Sequence, residues 1–166
     1  MSQPTDAETE AESLDENDVT DVPDEISDEG APSYDEEKLA DLQYVLQPTR
    51  LRLLQQILAT DWGSLSPAEL SFRNPDVSES TIRDHLREMT GRDRPLTAKL
   101  TVPEGKGERA IPRTFYAVTE YGIQLLKRVD MYDGISLLYQ AYESAERPDE
   151  IGETERFEHR PEPDWL

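Results

Sequence analysis

VSESTIRDHLREM, residues 77–89, is the stretch on which the rest of the chain turns. Ser78 is a strong N-cap, because its hydroxyl can accept from the free N–H groups of a first helical turn. Glu79 follows, where the helix dipole favours a negative charge. Ile82, Leu86 and Met89 recur at helical spacing and form one apolar stripe. Ser78, Ser80, Thr81, Arg83 and Arg87 occupy the remaining surface together with Asp84 and Glu88. Short hydroxyls on a first turn followed by arginines suit base edges and phosphates when a helix enters a major groove. An ordinary amphipathic surface helix would have the same stripe, so the neighbours decide.

Upstream, Ser66-Pro67-Ala68-Glu69 has the capping-box pattern, with proline at the first helical position. That helix must be short, since Asn74-Pro75-Asp76 signals a turn and Pro75 disfavours helix at Asn74. A short helix, a tight turn and a longer helix with a polar first turn form a helix-turn-helix pattern. Downstream, Gly91 closes the helix. Leu96, Ala98, Leu100 and Val102 then alternate with Thr97, Lys99 and Thr101, and a second strand sets Phe115 and Ala117 against Tyr116 and Val118. Between the strands lies PEGKGERAIP, residues 103–112, a long hairpin tip bearing Lys106 and Arg109, with Arg113 just after it. A cationic tip at this place suits contact with a nucleic-acid backbone.

Further out, Leu39, Leu42, Val45 and Leu46 predict a helix beginning near Asp35. Pro48 opens a second helix, and Asp61, Gly63 and Ser64 end it. Thr119 caps TEYGIQLLKRV, and ISLLYQAYESAE follows a break at Asp133 or Gly134. This last helix is apolar on two sides, through Ile135, Leu138, Tyr142 and Ala145 and through Leu137, Tyr139 and Ala141. Such a helix needs two partners. The first helix also has spare apolar surface at Tyr44. A homodimer through Leu39, Leu42, Tyr44, Ile135, Leu138, Tyr139 and Tyr142 is expected, the alternative being packing of the two helices within one monomer.

The net charge of −20 is uneven. Residues 1–37 hold 15 acidic and no basic side chains, and residues 147–166 hold 7 acidic and 3 basic. The middle is nearly neutral, while residues 83–113 carry 8 basic against 5 acidic groups. A locally basic surface on an acidic protein is what a phosphate-binding face looks like. Scarce lysine and abundant carboxylate suit a protein of a salty cytoplasm, with a low-salt protein bearing an acidic tail as the competing account. Both ends are expected to be disordered acidic tails, 1–34 and 147–166, around a domain at 35–146. The absence of cysteine excludes disulfides and thiolate chemistry. No apolar run is long enough for a membrane span, and the acidic start does not suit a signal peptide. A cytoplasmic protein is therefore expected.

The order of elements resembles the winged helix-turn-helix repressors of the ArsR type. LQPTRLRLLQQIL at 46–58 is similar to that family's second helix, VSESTIRDHLREM to its recognition helix, and RTFYAVTEYGIQLL at 113–126 to its second wing strand and following helix. TEYGIQLLKRVDMYDGISLLYQAYE resembles small winged-helix regulators of halophilic archaea. The implied fold is mainly α with a small β-hairpin, a winged helix-turn-helix domain with an extra C-terminal helix. The implied function is sequence-specific binding of double-stranded DNA by a homodimer. Ser78, Ser80, Thr81, Arg83 and Arg87 would lie in the groove-facing helix, and Lys106, Arg109 and Arg113 on or beside the wing. The family's metal sensors use cysteine, so no metal effector is expected, and no cofactor either. His85 is read as a packing residue. A winged-helix module that binds protein is the alternative, favoured by Asp84 and Glu88. No constellation for an enzyme is present.

Overall fold

The computed structural model describes residues 35–166. The expected acidic tail at 1–34 lies outside the described residues. Asp35 caps helix α1, Glu36–Val45, and Gln47 caps α2, Pro48–Leu58, with Pro48 in its first turn. Ser66 and Glu69 form the full capping box of α3, Pro67–Arg73. The hydroxyl of Ser78 accepts from Thr81 N–H at 3.2 Å and starts α4, Glu79–Thr90.

Ile82, Leu86 and Met89 of α4 are fully buried. They meet Leu53, Leu54 and Ile57 of α2, Leu70 of α3 and Val118 in one apolar core. Burying side chains of this size stabilises the fold by roughly 1.5–3 kcal/mol each. The stripe thus locks α4 against α2 and α3, leaving its first-turn hydroxyls and its arginines on the exposed side.

The sheet has three strands rather than the two of the expected hairpin. β2, Thr97–Thr101, and β3, Thr114–Val118, pair antiparallel, and β1, Ser64–Leu65, adds to the other edge of β3. A two-residue strand is too short to show any alternation, and Gly63-Ser64 reads as a helix stop for that reason. The register sets Lys99 opposite Tyr116 on the face toward α4, and Leu100 opposite Phe115 on the rear face.

Thr119 caps α5, Glu120–Arg128. A Cβ on Gly122 would stand 2.7 Å from the Leu96 carbonyl oxygen, so α5 can approach the sheet this closely only without a side chain there. α1 packs on α5, and α6, Ile135–Glu143, packs on α2. No helix among the described residues is long and apolar enough to cross a membrane.

The segment 147–166 departs from the expected disordered tail. It forms a further helix, α7, Asp149–Glu155, and then runs back over the rear of the sheet. Phe157 packs with Val102, Ile111 and Phe115. Arg160 reaches Glu69 through a two-pronged ion pair at 2.7 and 3.1 Å, with side chains 2% and 1% exposed. It also donates to the carbonyls of Ser64 and Thr154. Trp165 donates its indole N–H to Val118 O at 2.8 Å. The acidic composition hid this because each anchoring partner is distant in sequence.

Candidate nucleic-acid interface

α3 and α4 are joined by a turn at residues 74–78 that Asn74 organises. Its side chain donates to Leu70 O at 2.7 Å and to Gln56 Oε1 at 2.6 Å, fixing the turn to α2 and α3. α4 then runs beside the open face of β2 and β3. Thr90 and Thr97 share a hydroxyl–hydroxyl contact at 2.9 Å that seats the end of α4 on the sheet. Between helix and sheet is a concavity of about 400 Å³ lined by Arg83, Arg87, Thr90, Gly91, Lys99 and Tyr116. Three cations and a phenol therefore converge on one groove, on the side of α4 away from the core.

The arginines of α4 are not free. Arg83 Nε donates to Glu79 at 3.0 Å, and Arg87 pairs with Asp84 at 2.9 Å. Lys99, Lys106, Arg109 and Arg113 have no carboxylate within 4.0 Å among the described residues. Around this groove the unpaired positive charge lies on the sheet and wing, and α4 carries pairs whose partners can be exchanged. On another side of α4, Glu88 pairs with Arg50 of α2 at 3.2 Å.

The short helix, turn, longer helix and three-stranded wing make a winged helix-turn-helix. No family model matches the chain, and no curated protein matches it. A solved structure does: a protein with a GntR superfamily winged-helix-turn-helix domain from Halomicrobium mukohataei, 41% identical, with a TM-score of 0.73. The match covers 82% of this chain and 94% of that one. The chain belongs to the GntR-superfamily winged-helix-turn-helix proteins. This is a fold typical of DNA-binding transcription regulators.

Within this winged-helix protein the sequence-predicted residues fall into three groups. Ser78, Ser80 and Thr81 cluster at the start of α4, with Ser78 Oγ 3.0 Å from Ser80 Oγ and 2.8 Å from Thr81 Oγ1. Ser78 is committed to the cap, while all three remain exposed. Arg83 and Arg87 share the groove. Lys106 and Arg109 are exposed on the wing tip, and Arg113 lies at its base beside Gly107. Lys99 and Tyr116 were missed as site residues. The alternation of β2 and β3 puts them on the α4 side, and their pairing across the strands could have found them.

The residues expected at a dimer contact also divide. Tyr44 is held between the guanidinium groups of Arg50 and Arg92, at 3.7 and 3.8 Å, and packs against the core. Tyr142 lies between Arg73 and Arg147, at 3.4 and 4.5 Å, and its hydroxyl donates to Glu155 at 2.9 Å. Tyr139 donates to Asp61 at 3.0 Å, and Leu42 packs against the core. Both stacked rings are thus occupied inside the chain, which corrects the reading of them as spare apolar surface. Leu39, Leu137 and Leu138 do remain open, at 46%, 70% and 37% exposure. Ile135 is half-buried.

Proposed function

We propose that the chain is a sequence-specific double-stranded DNA-binding transcription regulator acting as a homodimer. The observation that carries this reading is the groove in which Arg83 and Arg87 face Lys99 and Tyr116. α4 would enter the major groove with Ser80, Thr81 and Arg83 nearest the bases. Lys99, Lys106, Arg109 and Arg113 would hold phosphates on either side of it. Exposed ion pairs such as Arg83–Glu79 are worth about 0–1 kcal/mol. A guanine edge offering two acceptors competes readily with that carboxylate. A wrong base offers less, so the acidic partner sharpens selectivity by reclaiming the arginine.

The ArsR-type resemblance extends the reading to two recognition helices reaching half-sites about 34 Å apart. The exposed Leu39 of α1 and Leu137 of α6 supply an apolar surface for the second copy. The test is selection of bound duplexes from a random library, followed by footprinting of Arg83→Ala. Loss of about 1–3 kcal/mol at one base position is expected if Arg83 reads a base. An unchanged footprint and affinity would remove it from the readout.

A second reading, a winged-helix module that binds protein, is favoured by Asp84 and Glu88 on α4, since carboxylates repel phosphates. It predicts that no sequence is enriched from the library, and that the groove variants lose a protein partner instead.

A further inference from the structure

Two tyrosines are held between pairs of guanidinium groups, and the two stacks differ in one respect. At Tyr44 both cations are compensated, Arg50 by Glu88 and Arg92 by Asp41. At Tyr142 only one is. Arg147 pairs with Glu143 at 3.2 Å and with Glu155 at 3.0 Å, while Arg73, on the opposite face of the ring, has no carboxylate within 4.0 Å among the described residues.

Arg50, Arg73, Arg92, Arg147 and Arg160 are the arginines withdrawn from solvent, and Arg73 alone among them lacks an ion pair. Its Nε is buried with no hydrogen-bond partner, as are those of Arg50, Arg92 and Arg160, but those three each hold a carboxylate through their terminal nitrogens. Burial pulls the guanidinium below its ordinary range, outweighing Tyr142 and the more distant carboxylates of Glu69 and Glu155. In a chain with 37 carboxylates, an unpaired cation at such a site marks a place for an acid from outside the chain.

Arg73 opens onto a cleft of about 300 Å³ between α6 and the α2–α3 pair. Its apolar walls are Phe72, Leu138, Ala141, Tyr142 and Ala145. Gln56 also lines it, but its amide is engaged with Asn74 in both directions, at 2.6 and 3.2 Å. The cleft therefore combines an apolar body with one planar cation that is stacked on Tyr142 and has no carboxylate within 4.0 Å among the described residues, the usual composition of a small-molecule site. A single guanidinium fork matches a carboxylate. A phosphate dianion would need a second cation, and Arg147 lies behind the tyrosine ring with its own partners.

We propose that this cleft binds a small monocarboxylate with an apolar tail. The carboxylate sits on Arg73 and the hydrocarbon lies along Phe72, Leu138 and Ala141. Arg73 ends α3 and adjoins the turn into α4, so the ligand would rest against the back of the helix-turn-helix. Any effect on DNA affinity rests on the DNA-binding reading, whereas occupancy of the cleft does not.

The experiment is calorimetric titration and methyl NMR of the full chain without DNA, at constant ionic strength. The probes are hexanoate and phenylacetate. Hexanol and 2-phenylethanol lack the charge, and acetate lacks the tail. The acids are expected to bind saturably and to shift the Leu138, Ala141 and Ala145 methyl signals, with each control weaker by about tenfold or more. Arg73→Gln should abolish the preference for acids over alcohols, and Arg73→Lys should keep part of it. Leu138→Trp should fill the cleft and block binding with Arg73 still present, which separates loss of the site from misfolding of an arginine variant. Equal binding of acids and alcohols, unchanged binding in Arg73→Gln, or no binding of either acid would overturn the proposal. So would methyl shifts that follow protein concentration alone, because the occupant would then be a second copy.

Discussion

The two faces of the wing sheet come from the same strands and meet opposite surroundings. On the face toward α4, Lys99 and Tyr116 border an open groove with two arginines. On the rear, Phe115 is sealed under Phe157, and Arg160 lies over the Phe115 and Trp62 rings at 4.7 and 4.4 Å while gripping Glu69. Cations on the front are exposed and exchangeable. The cation on the rear is desolvated, and its two terminal nitrogens are held by a carboxylate and two carbonyls. A winged domain that offers charge on one face must fix the sheet from the other, and here residues 147–166 do so.

The comparison breaks most visibly at Arg160. Glu69 serves the α3 capping box and the rear ion pair together, accepting from Ser66 N–H at 2.7 Å. Arg160→Ala strands that carboxylate in the interior, and urea unfolding should show a loss of about 3–5 kcal/mol. A change under 1 kcal/mol would mean the C-terminal segment does not hold the sheet. Phe157→Ala, which empties the pocket over Phe115, should cost about 3 kcal/mol on the same assay. Neither variant alters the front groove, so their effect on binding should follow the folded fraction.

Asp41 gives a pH-dependent counterpart on the front side. Its buried carboxylate receives Tyr121 and Arg92 and pairs with Arg94 at 2.7 Å, tying the α4–β2 connection to α1 and α5. Burial alone would raise its pKa, but the hydrogen bonds from Tyr121 and Arg92 and the charges of Arg94 and Arg92 outweigh it and hold the carboxyl below 3.8. The folded pKa is depressed, so this contribution is complete above the unfolded value of about 3.9 and is lost as pH falls through the folded one. Asp41→Asn should flatten the acid limb of a stability–pH profile and lower the plateau at neutral pH. A parallel acid limb in the variant would contradict the assignment.

The smallest effect on stability, and the most informative for binding, is at Lys99. Lys99→Ala should leave stability within about 0.5 kcal/mol, as an exposed substitution does. On the proposed reading, it should also reduce the salt slope of DNA affinity by about one. A salt slope equal to the parent's would take Lys99 out of the interface.

Most of the front of this molecule was legible, because its signals are local. The Ser66 box, the Ser78 cap, the Ile82–Leu86–Met89 stripe and the alternation of β2 and β3 each declare themselves within a dozen residues. The rear was not. Arg160 and Glu69 are 91 positions apart, and nothing around either one names the other. Pro148 followed by Asp149 and Glu150 is a fair helix start, but seven residues show no period. The tyrosine stacks failed for a related reason. Tyr44 and Tyr142 look like spare apolar surface until arginines from elsewhere in the chain cover both sides of each ring.

On the proposed reading, the groove between α4 and the wing reads duplex DNA. A genome-wide binding profile of the tagged protein, run beside an Arg83→Ala/Arg87→Ala variant of equal abundance, tests it most directly. Discrete sites sharing one pseudo-palindromic sequence are expected in the parent, and their loss in the variant. Discrete sites that persist in the variant, or a parent profile without any, would contradict it.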